Sequence, residues 1–312
     1  MTASESMFLT LCQELNFHRA AQRCFVTQQG LSDHIRRLEE LHGVQLFQRK
    51  PRVALTLAGE ALRRVLERER VMEQDLAREL EQLTSGKGGK VTLGINGSRA
   101  QIMLPGILEQ FRQLSPEAEL TIRMEDTRRM EQELEEGTLD CYIGVNAPGG
   151  ENRVCVPLTR DSIYLLAHKS LLDQYEVHVP KDGSAVELEQ VKELPFVRNL
   201  PGSTLNETVD KHLRQKGIGL REIAAVSDYK IQLEFCRRGW AAMFCPQMLL
   251  DQPEWHQEQL VLVPITGLEH ALRIDLVYDR ERIYPACVKH LFTCIEDRPW
   301  QRKEGQFPSG VV

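Results

Sequence analysis

The chain has 312 residues, 42% of them hydrophobic and 27% charged; that length fits roughly two domains of about 150 residues, and the composition excludes a collagenous, fibrous or disordered chain. Its formal charge is -6, from 39 Lys and Arg against 45 Asp and Glu. Taken over the whole chain, that acidity argues against nucleic acid, because phosphate binding needs a basic surface.

Nowhere do about 18 apolar residues run together, and Met1–Ser6, followed only by the short apolar group Met7–Leu11, lacks the parts of a secretory signal. The expected compartment is the cytoplasm, with no membrane partner. The eight cysteines, at 12, 24, 141, 155, 236, 245, 287 and 294, never form C-x-x-C and sit mostly in apolar stretches, as reduced, buried thiols do.

Charge resolved by segment changes the first impression. Residues 17–64 hold nine Lys and Arg against four acidic residues, a net of +5, which leaves -11 for the remainder. A basic N-terminal module joined to an acidic body is expected.

The first 85 residues carry helical periodicity. Phe8, Leu9, Leu11, Cys12 and Leu15 predict one short helix, and Ala20, Ala21, Cys24 and Phe25 a second. Val26-Thr27 interrupts, and Thr27 is an N-cap for a third helix whose apolar back is Leu31, Ile35, Leu38 and Leu41, with Gln29, Ser32, Asp33 and Arg36 opposite. His42-Gly43 ends it. Two short helices at a tight turn, the second with a polar front, form a helix-turn-helix pattern. Val44–Phe47, the basic turn Gln48-Arg49-Lys50-Pro51-Arg52 and Val53–Thr56 then predict a hairpin whose three cations suit phosphate or a minor groove.

From Leu57 to about Leu83 an apolar stripe of Leu62, Leu66, Met72, Leu76, Leu80 and Leu83 lies among charges, a helix about 40 Å long at 1.5 Å per residue. Such a helix suits dimerisation through Leu62, Leu66, Met72, Leu76 and Leu80. Thr84-Ser85-Gly86-Lys87-Gly88-Gly89 is a flexible linker.

Beyond the linker, strands and helices alternate: strand 91–96, helix 102–114, strand 119–124, helix 129–136 and strand 139–145, then strands at 162–167 and 196–197, a helix over 205–216 and a strand near 223–226. A helix at 230–238, strands at 241–244, 260–264 and 273–278, and a closing helix complete the series. This pattern predicts α/β architecture with mainly parallel sheets, long enough for two lobes.

Two turns in this region resemble each other. Gly94-Ile95-Asn96-Gly97-Ser98-Arg99 and Asn199-Leu200-Pro201-Gly202-Ser203-Thr204 each leave a strand and open a helix. Helix N-termini present unpaired N–H groups, so two facing across a cleft suit an anionic or carboxylate ligand, with Ser98 and Ser203 as N-caps. Arg99 and Arg198 would add positive charge and Asp228 would oppose it.

Phe17-His18-Arg19-Ala20-Ala21, Val26-Thr27-Gln28-Gln29, Leu31-Ser32, Ile35–Glu39, Gly43–Phe47, Arg49, Leu55-Thr56 and Gly59 together resemble the LysR-type transcriptional regulators. The resemblance runs from Met7 to about residue 296. Leu104-Pro105, Phe111-Arg112 with Pro116, Leu134 with Gly137–Asp140, and Gly239–Pro246 are similar to the family's effector domain. It implies a winged helix-turn-helix over 1–58, a dimerisation helix over 59–85, a hinge over 86–90 and an effector domain over 91–312. That domain would be a two-lobed α/β body of the periplasmic-binding-protein type, with lobe I near 91–161 and 268–312 and lobe II near 162–267. Fold class is therefore α plus α/β, and the function implied is regulation of promoter binding by a small effector.

The third helix would enter the major groove N-terminus first, with Thr27 at its start, Gln28, Gln29, Ser32 and Asp33 at base edges and Arg36 nearer the backbone; glutamine pairs bidentately with adenine. Arg19, Arg49, Lys50 and Arg52 would position the duplex. The chain has Gln29 and Gly30 where the family commonly has Pro and Ala, and Asp33 where Arg is frequent, so base preferences do not transfer. Resemblance places the inducer at Asn96, Ser98, Arg99, Asn199, Ser203, Thr204, Ser227 and Asp228, and implies a homodimer or a dimer of dimers, with RNA polymerase as a further candidate partner and no cofactor.

An enzyme or a cytosolic solute-binding protein with an added helical domain is the alternative. No G-x-G-x-x-G, G-x-x-x-x-G-K-[ST], G-x-S-x-G or H-E-x-x-H occurs, and His168, His178, His212, His256 and His270 lack metal-ligand spacing. The peroxide-sensing branch of the family carries a cysteine in the loop that here reads Arg198–Gly202, where this chain has none; Cys236 and Cys245 flank an apolar strand and are expected to be buried.

Overall fold

The structure, a computed structural model, describes residues 1–85, 88–250, 252, 255 and 259–297, with the side chains of 81–85 excluded. Gly86 and Lys87 of the expected hinge, the Leu83 side chain, His256 and the last stretch of the expected lobe I fall outside it. The chain divides into two compact units, residues 1–86 with 135–137 and the remainder.

The N-terminal unit begins with α1 (Ala3–Glu14), α2 (Phe17–Arg23) and α3 (Gln28–His42). Each start has a side-chain oxygen on its orphan N–H groups. Thr2 and Glu5 form a capping box on α1, Asn16 accepts from His18 and Arg19 on α2, and Thr27 accepts from Gly30 on α3. Gly43 ends α3 at φ 66°, a left-handed position that glycine adopts without strain. Phe8, Leu11, Leu31, Ile35, Leu38, Leu46 and Phe47 form the core.

Three expected apolar-face residues lie outside it: Leu15 and Phe25 are exposed beyond the ends of α1 and α2, Phe25 at 96%, and Leu41 is 75% exposed, at the solvent edge of α3 in its last turn. The hairpin is shorter than expected, β1 (Phe47–Gln48) pairing antiparallel with β2 (Ala54–Leu55). The long helix, α4 (Leu57–Ser85), starts hard against it: a Cβ on Gly59 would stand 2.1 Å from the Leu46 carbonyl oxygen, so only glycine fits.

The stripe of α4 is two surfaces. Leu66 is buried in the module's core and Leu62 packs against it, because the first turns of α4 lie on the helical bundle. These two positions, expected at a dimer interface, are core. Farther along, Met72, Leu76 and Leu80 stay exposed, joined by Val65, seven residues before Met72, which the sequence reading passed over.

The C-terminal unit holds the other elements, in order β3 (Lys90–Ile95), α5 (Gly97–Leu114), β4 (Glu119–Met124), α6 (Thr127–Glu135), β5 (Cys141–Val145), β6 (Arg153–Asp161), β7 (Ile163–His168), α7 (Lys169–Gln174), α8 (Leu188–Val191), β8 (Pro195–Arg198), α9 (Thr204–Lys216), β9 (Arg221–Ala225), α10 (Tyr229–Arg237), β10 (Met243–Pro246), α11 (Gln247–Leu250), β11 (Leu260–Pro264), β12 (Leu272–Asp279) and α12 (Ala286–Glu296). They make two sheets. One has the order β4-β3-β5-β12-β6. In the other, β10-β7-β11 joins β8-β9 through a parallel bridge between Phe196 and Ala242.

The sheets are mixed, not mainly parallel: β3 runs parallel to β4 and β5, and β8 to β9, while β12 is antiparallel to β5 and β6, and β7 to β10 and β11. The reason is that the chain crosses between lobes twice, at Asp161-Ser162 and after β11, and the crossing strands return against the direction of the βαβ units. Sequence alternation missed β6 because Arg153, Pro157 and Arg160 break its apolar pattern. A bond between the Ser162 Oγ and the His270 amide, at 3.0 Å, ties the two crossings together.

Candidate nucleic-acid interface and effector cleft

In the N-terminal unit, Thr27, Gln28 and Gln29 are exposed at the start of α3, with Ser32 and Asp33 one turn on and half-buried. The apolar back of α3 fixes this direction, because Leu31, Ile35 and Leu38 are buried. Asp33 is paired with Arg36 at 3.2 Å, and Arg36 also reaches Glu40 at 3.7 Å. Asp33 therefore meets a partner already part-neutralised, at the modest strength of exposed helix pairs.

Arg49 is held from three sides. Its guanidinium lies 5.3 Å from the Phe17 ring centre, 3.6 Å from Glu39 and 3.5 Å from the Ser32 hydroxyl. Glu39 also accepts from the Leu46 and Phe47 amides at 2.9 and 3.3 Å. One carboxylate thus joins α3 to the hairpin and places Arg49 beside the polar front of α3; Glu39 looks like one more helix charge in the sequence, and its reach of seven residues gives no periodic signal. Arg19 is held by Glu14 through a 3.3 Å ion pair and a 2.8 Å bond to its carbonyl. Lys50 and Arg52 are exposed at the hairpin tip.

In the C-terminal unit a cleft of about 630 Å³ lies between the lobes, at the carboxyl ends of β3, β4, β8 and β9. All eight expected effector residues line it: Asn96, Ser98, Arg99, Asn199, Ser203, Thr204, Ser227 and Asp228. Their local roles differ from expectation. Asn96, not Ser98, caps α5, which begins five residues earlier than its apolar period suggests; the Asn96 side chain accepts from the Ser98 amide at 3.2 Å and from its hydroxyl at 2.7 Å. Ser203 stands at the cap position of α9 but makes no side-chain cap bond, which leaves its hydroxyl to the cleft. Gly202, at φ 92°, turns the backbone into that helix.

Asn199 is structural, because its amide donates to the Tyr229 hydroxyl at 3.0 Å and accepts from Gln232 at 2.9 Å. Asp228 caps α10 through the Lys230 and Ile231 amides, at 2.8 and 3.1 Å. Arg198 adds no charge: it is buried and spent on Asp210 and Glu222, both at 2.7 Å, and it does not line the cleft. Arg99 does. It is 5% exposed, reaches Asp161 at 3.5 Å through one terminal nitrogen, and its Nε has no hydrogen-bond partner among the described residues.

Sequence reading missed several cleft residues. Thr127 accepts from the Val145 amide at 3.1 Å, Gln101 and Met124 stand on the lobe I side, and Glu125 and Asp126 follow β4. Tyr229, whose hydroxyl burial pushes up to about 12, stays neutral and keeps its proton for donation. Trp255 is 4% exposed and its indole N–H has no partner among the described residues. The parallel order of β4 beside β3 signals Glu125 and Asp126, but only once the sheet is known.

Of the eight thiols five are buried, at Cys141, Cys236, Cys245, Cys287 and Cys294, and Cys12, Cys24 and Cys155 are half-buried. Cys236 and Cys245 are buried, and desolvation pushes both above the ordinary thiol range, which suppresses the reactive thiolate. Among the described residues no group of three or more His, Cys, Asp or Glu is placed to hold a metal, and no helix is long and apolar enough to cross a membrane.

Residues 6–60 match the model of the bacterial regulatory helix-turn-helix proteins of the lysR family, and residues 84–300 match the LysR substrate binding domain. The chain belongs to the LysR family of transcriptional regulators. A probable nitrogen assimilation transcriptional activator of Synechococcus elongatus is 26% identical over 287 residues, covering 90% of each chain, and the regulator XapR of Escherichia coli is 27% identical over 287 residues, covering 91% of this chain and 94% of its own.

Solved LysR regulators share the fold. Full-length CbnR in complex with its target DNA superposes with a TM-score of 0.55 at 19% identity, over 96% of this chain and all of CbnR. ArgP of Mycobacterium tuberculosis gives 0.62 at 15% identity, over 98% and 99%. This LysR regulator therefore binds DNA through its helix-turn-helix and a small-molecule effector through its two-lobed domain; its family is one of regulators, not enzymes.

Proposed function

We propose that this LysR regulator reads its operator with Gln28, Gln29, Ser32 and Asp33 and holds the duplex with Thr27, Arg19, Arg36, Arg49, Lys50 and Arg52. The observation that carries this reading is the exposed polar start of α3 above a buried back, with Arg49 fixed beside Ser32. Lys50 and Arg52 supply phosphate contacts that carry no sequence information. Two copies joined by α4 through Met72, Leu76 and Leu80 place two readers on two half-sites and turn modest single-site affinity into avidity; a dimer of dimers extends the same arrangement. The working limits are 1–58 for the reader, 59–85 for the dimer helix, 86–90 for the hinge and 91–312 for the effector domain. The protein acts in the cytoplasm, and RNA polymerase is its partner at the promoter.

The effector is a small carboxylate-bearing molecule seated between the N-termini of α5 and α9. Support comes from the N–H groups that these turns present, the Ser203 hydroxyl left without a cap bond and the buried cation Arg99. The test is gel retardation on duplex DNA from upstream of the protein's own gene. Retardation that is duplex-dependent and salt-sensitive is expected, with its preference for this DNA over unrelated duplex lost in Gln28→Ala/Gln29→Ala. No such binding, or equal binding to every sequence, overturns the assignment of readers.

A further inference from the structure

The cleft has two chemically different sides, and the strand order of the lobes fixes which is which. In lobe I, β3 lies beside β4; in lobe II, β8 lies beside β9. The loops after β3 and β8 open α5 and α9 and bring N–H donors. The loops after β4 and β9 likewise open helices, α6 and α10, but add carboxylates to them: Glu125 and Asp126 from lobe I, Asp228 from lobe II, all lining the same cleft and all exposed. Asp126 spends one oxygen on the Arg129 amide at 2.9 Å and Asp228 one on the start of α10, which leaves a second oxygen on each. No hydrogen bond or ion pair of Glu125 is found among the described residues. Lys230 stands on this flank as well, one positive charge against three negative ones among the described residues.

Two side chains that line the cleft carry buried donors with no hydrogen-bond partner among the described residues. Arg99 Nε and Trp255 Nε1 are both buried without a partner, on side chains 5% and 4% exposed. A buried N–H left unsatisfied is costly, so an acceptor that reaches it gains more than one that replaces a hydrated contact. The acceptor side of the ligand is thereby located. The opposite flank has the wrong sign for a second carboxylate, since three acid groups would repel it, and the right sign for an ammonium.

We infer that the effector is a small zwitterion, an amino-carboxylate whose carboxylate meets Arg99, Trp255 and the N-termini of α5 and α9 while its ammonium meets Glu125, Asp126 and Asp228. The inference rests on the cleft being the effector site. A dicarboxylate or a neutral sugar would leave one of the two sides uncompensated, and a plain amine would leave the donors unpaired. Requiring both poles is also how the site discriminates, because a site built on buried polar groups rejects an analogue that lacks the matching group far more strongly than an apolar pocket rejects a methylene.

The test uses the full-length protein and calorimetric titration with the free L-amino acids and the ω-amino acids β-alanine, 4-aminobutyrate and 5-aminovalerate. Each binder is compared with its amide, which lacks the carboxylate, and its deaminated acid, which lacks the ammonium. At least one free amino acid binds, and removal of either pole weakens it at least about tenfold. In Glu125→Gln/Asp228→Asn, where asparagine still caps α10, the deaminated acid binds within a few-fold of the amino acid while the amide stays weak.

The inference is overturned if no free amino acid binds at millimolar concentration, if the deaminated acid binds the native protein as tightly, or if the double variant keeps the full ammonium preference. Ser203→Trp separates this from the siting of the effector. That side chain fills the space between the two turns, and a ligand whose affinity it leaves unchanged lies elsewhere, which removes the cleft assignment whatever the ligand's charge.

Discussion

On α3 the polar residues stand in water: Gln28 and Gln29 are exposed, and Asp33 and Arg36 neutralise each other. In the cleft, Arg99 and Trp255 are buried and hold N–H groups with no partner among the described residues. A reader that is hydrated in the free protein exchanges water for a base edge, and each contact nets little. A donor that folding has already stripped of water gains more when an acceptor arrives. The two regions thus divide the work: many weak, replaceable contacts for a long polymer, few strong ones for a small molecule.

The sharpest way to break that contrast is to compare two arginines of the same unit. Arg99→Met removes the guanidinium 3.5 Å from Asp161, which is 4% exposed and also accepts from the Met248 amide, and removal of one partner of a buried pair costs up to about 3–5 kcal/mol. Effector binding falls with it. For Arg198→Met the partners Asp210 and Glu222 are 36% and 50% exposed and rehydrate, so the cost is about 1 kcal/mol or less and effector affinity is unchanged. Thermal melting and ligand titration of both variants check this; equal losses would mean that burial alone, and not the cleft, sets the role of Arg99.

Next in size is the division within α4. Leu66→Ala opens a cavity in the reader core and costs about 2–5 kcal/mol of that module's stability, whereas Leu76→Glu leaves its melting in place and shifts sedimentation toward monomer. A Leu76→Glu protein that sediments as the native one removes this face from the dimer.

Much of the reader was legible in the sequence because its logic is local. The cap at Thr27, the turn at Gly43 and the period of Leu31, Ile35 and Leu38 all act within a few residues, and they suffice to point Gln28 and Gln29 outward. What escaped is nonlocal: Leu66 reads as the same stripe as Leu76, and only packing shows that one is core and the other surface. In the cleft, the turns at Asn96 and Ser203 were legible as strand-to-helix junctions, but Glu125, Asp126, Tyr229 and Trp255 join them only through sheet order and lobe crossing. Arg198 carries the opposite lesson, since a cation adjacent in sequence to the cleft is consumed by Asp210 and Glu222, 12 and 24 residues away.

Gln28→Ala and Gln29→Ala test the hydrated side of the contrast. Each should reduce preference for the operator over unrelated duplex by about 1–3 kcal/mol, with nonspecific affinity unchanged. Parallel retardation assays on both DNAs measure it, and a uniform loss would turn these residues into positioning contacts.

The smallest expected effect belongs to Arg52, exposed at the hairpin tip. A cation there contributes chiefly by displacing counterions from one phosphate, and such a contact changes how affinity depends on salt more than it changes which sequence is preferred. Arg52→Ala should therefore lower the slope of log affinity against log salt by about 0.9 per bound protomer on operator and unrelated DNA alike, leaving their ratio fixed. Arg49 gives the internal control, because Glu39 and Phe17 hold it against Ser32: Arg49→Ala should lower the slope similarly but also erode the ratio, since it loosens the reader beside it. A change of ratio in Arg52→Ala would place the hairpin tip in a groove, reading sequence, and would shift part of the operator's specificity from α3 to the wing.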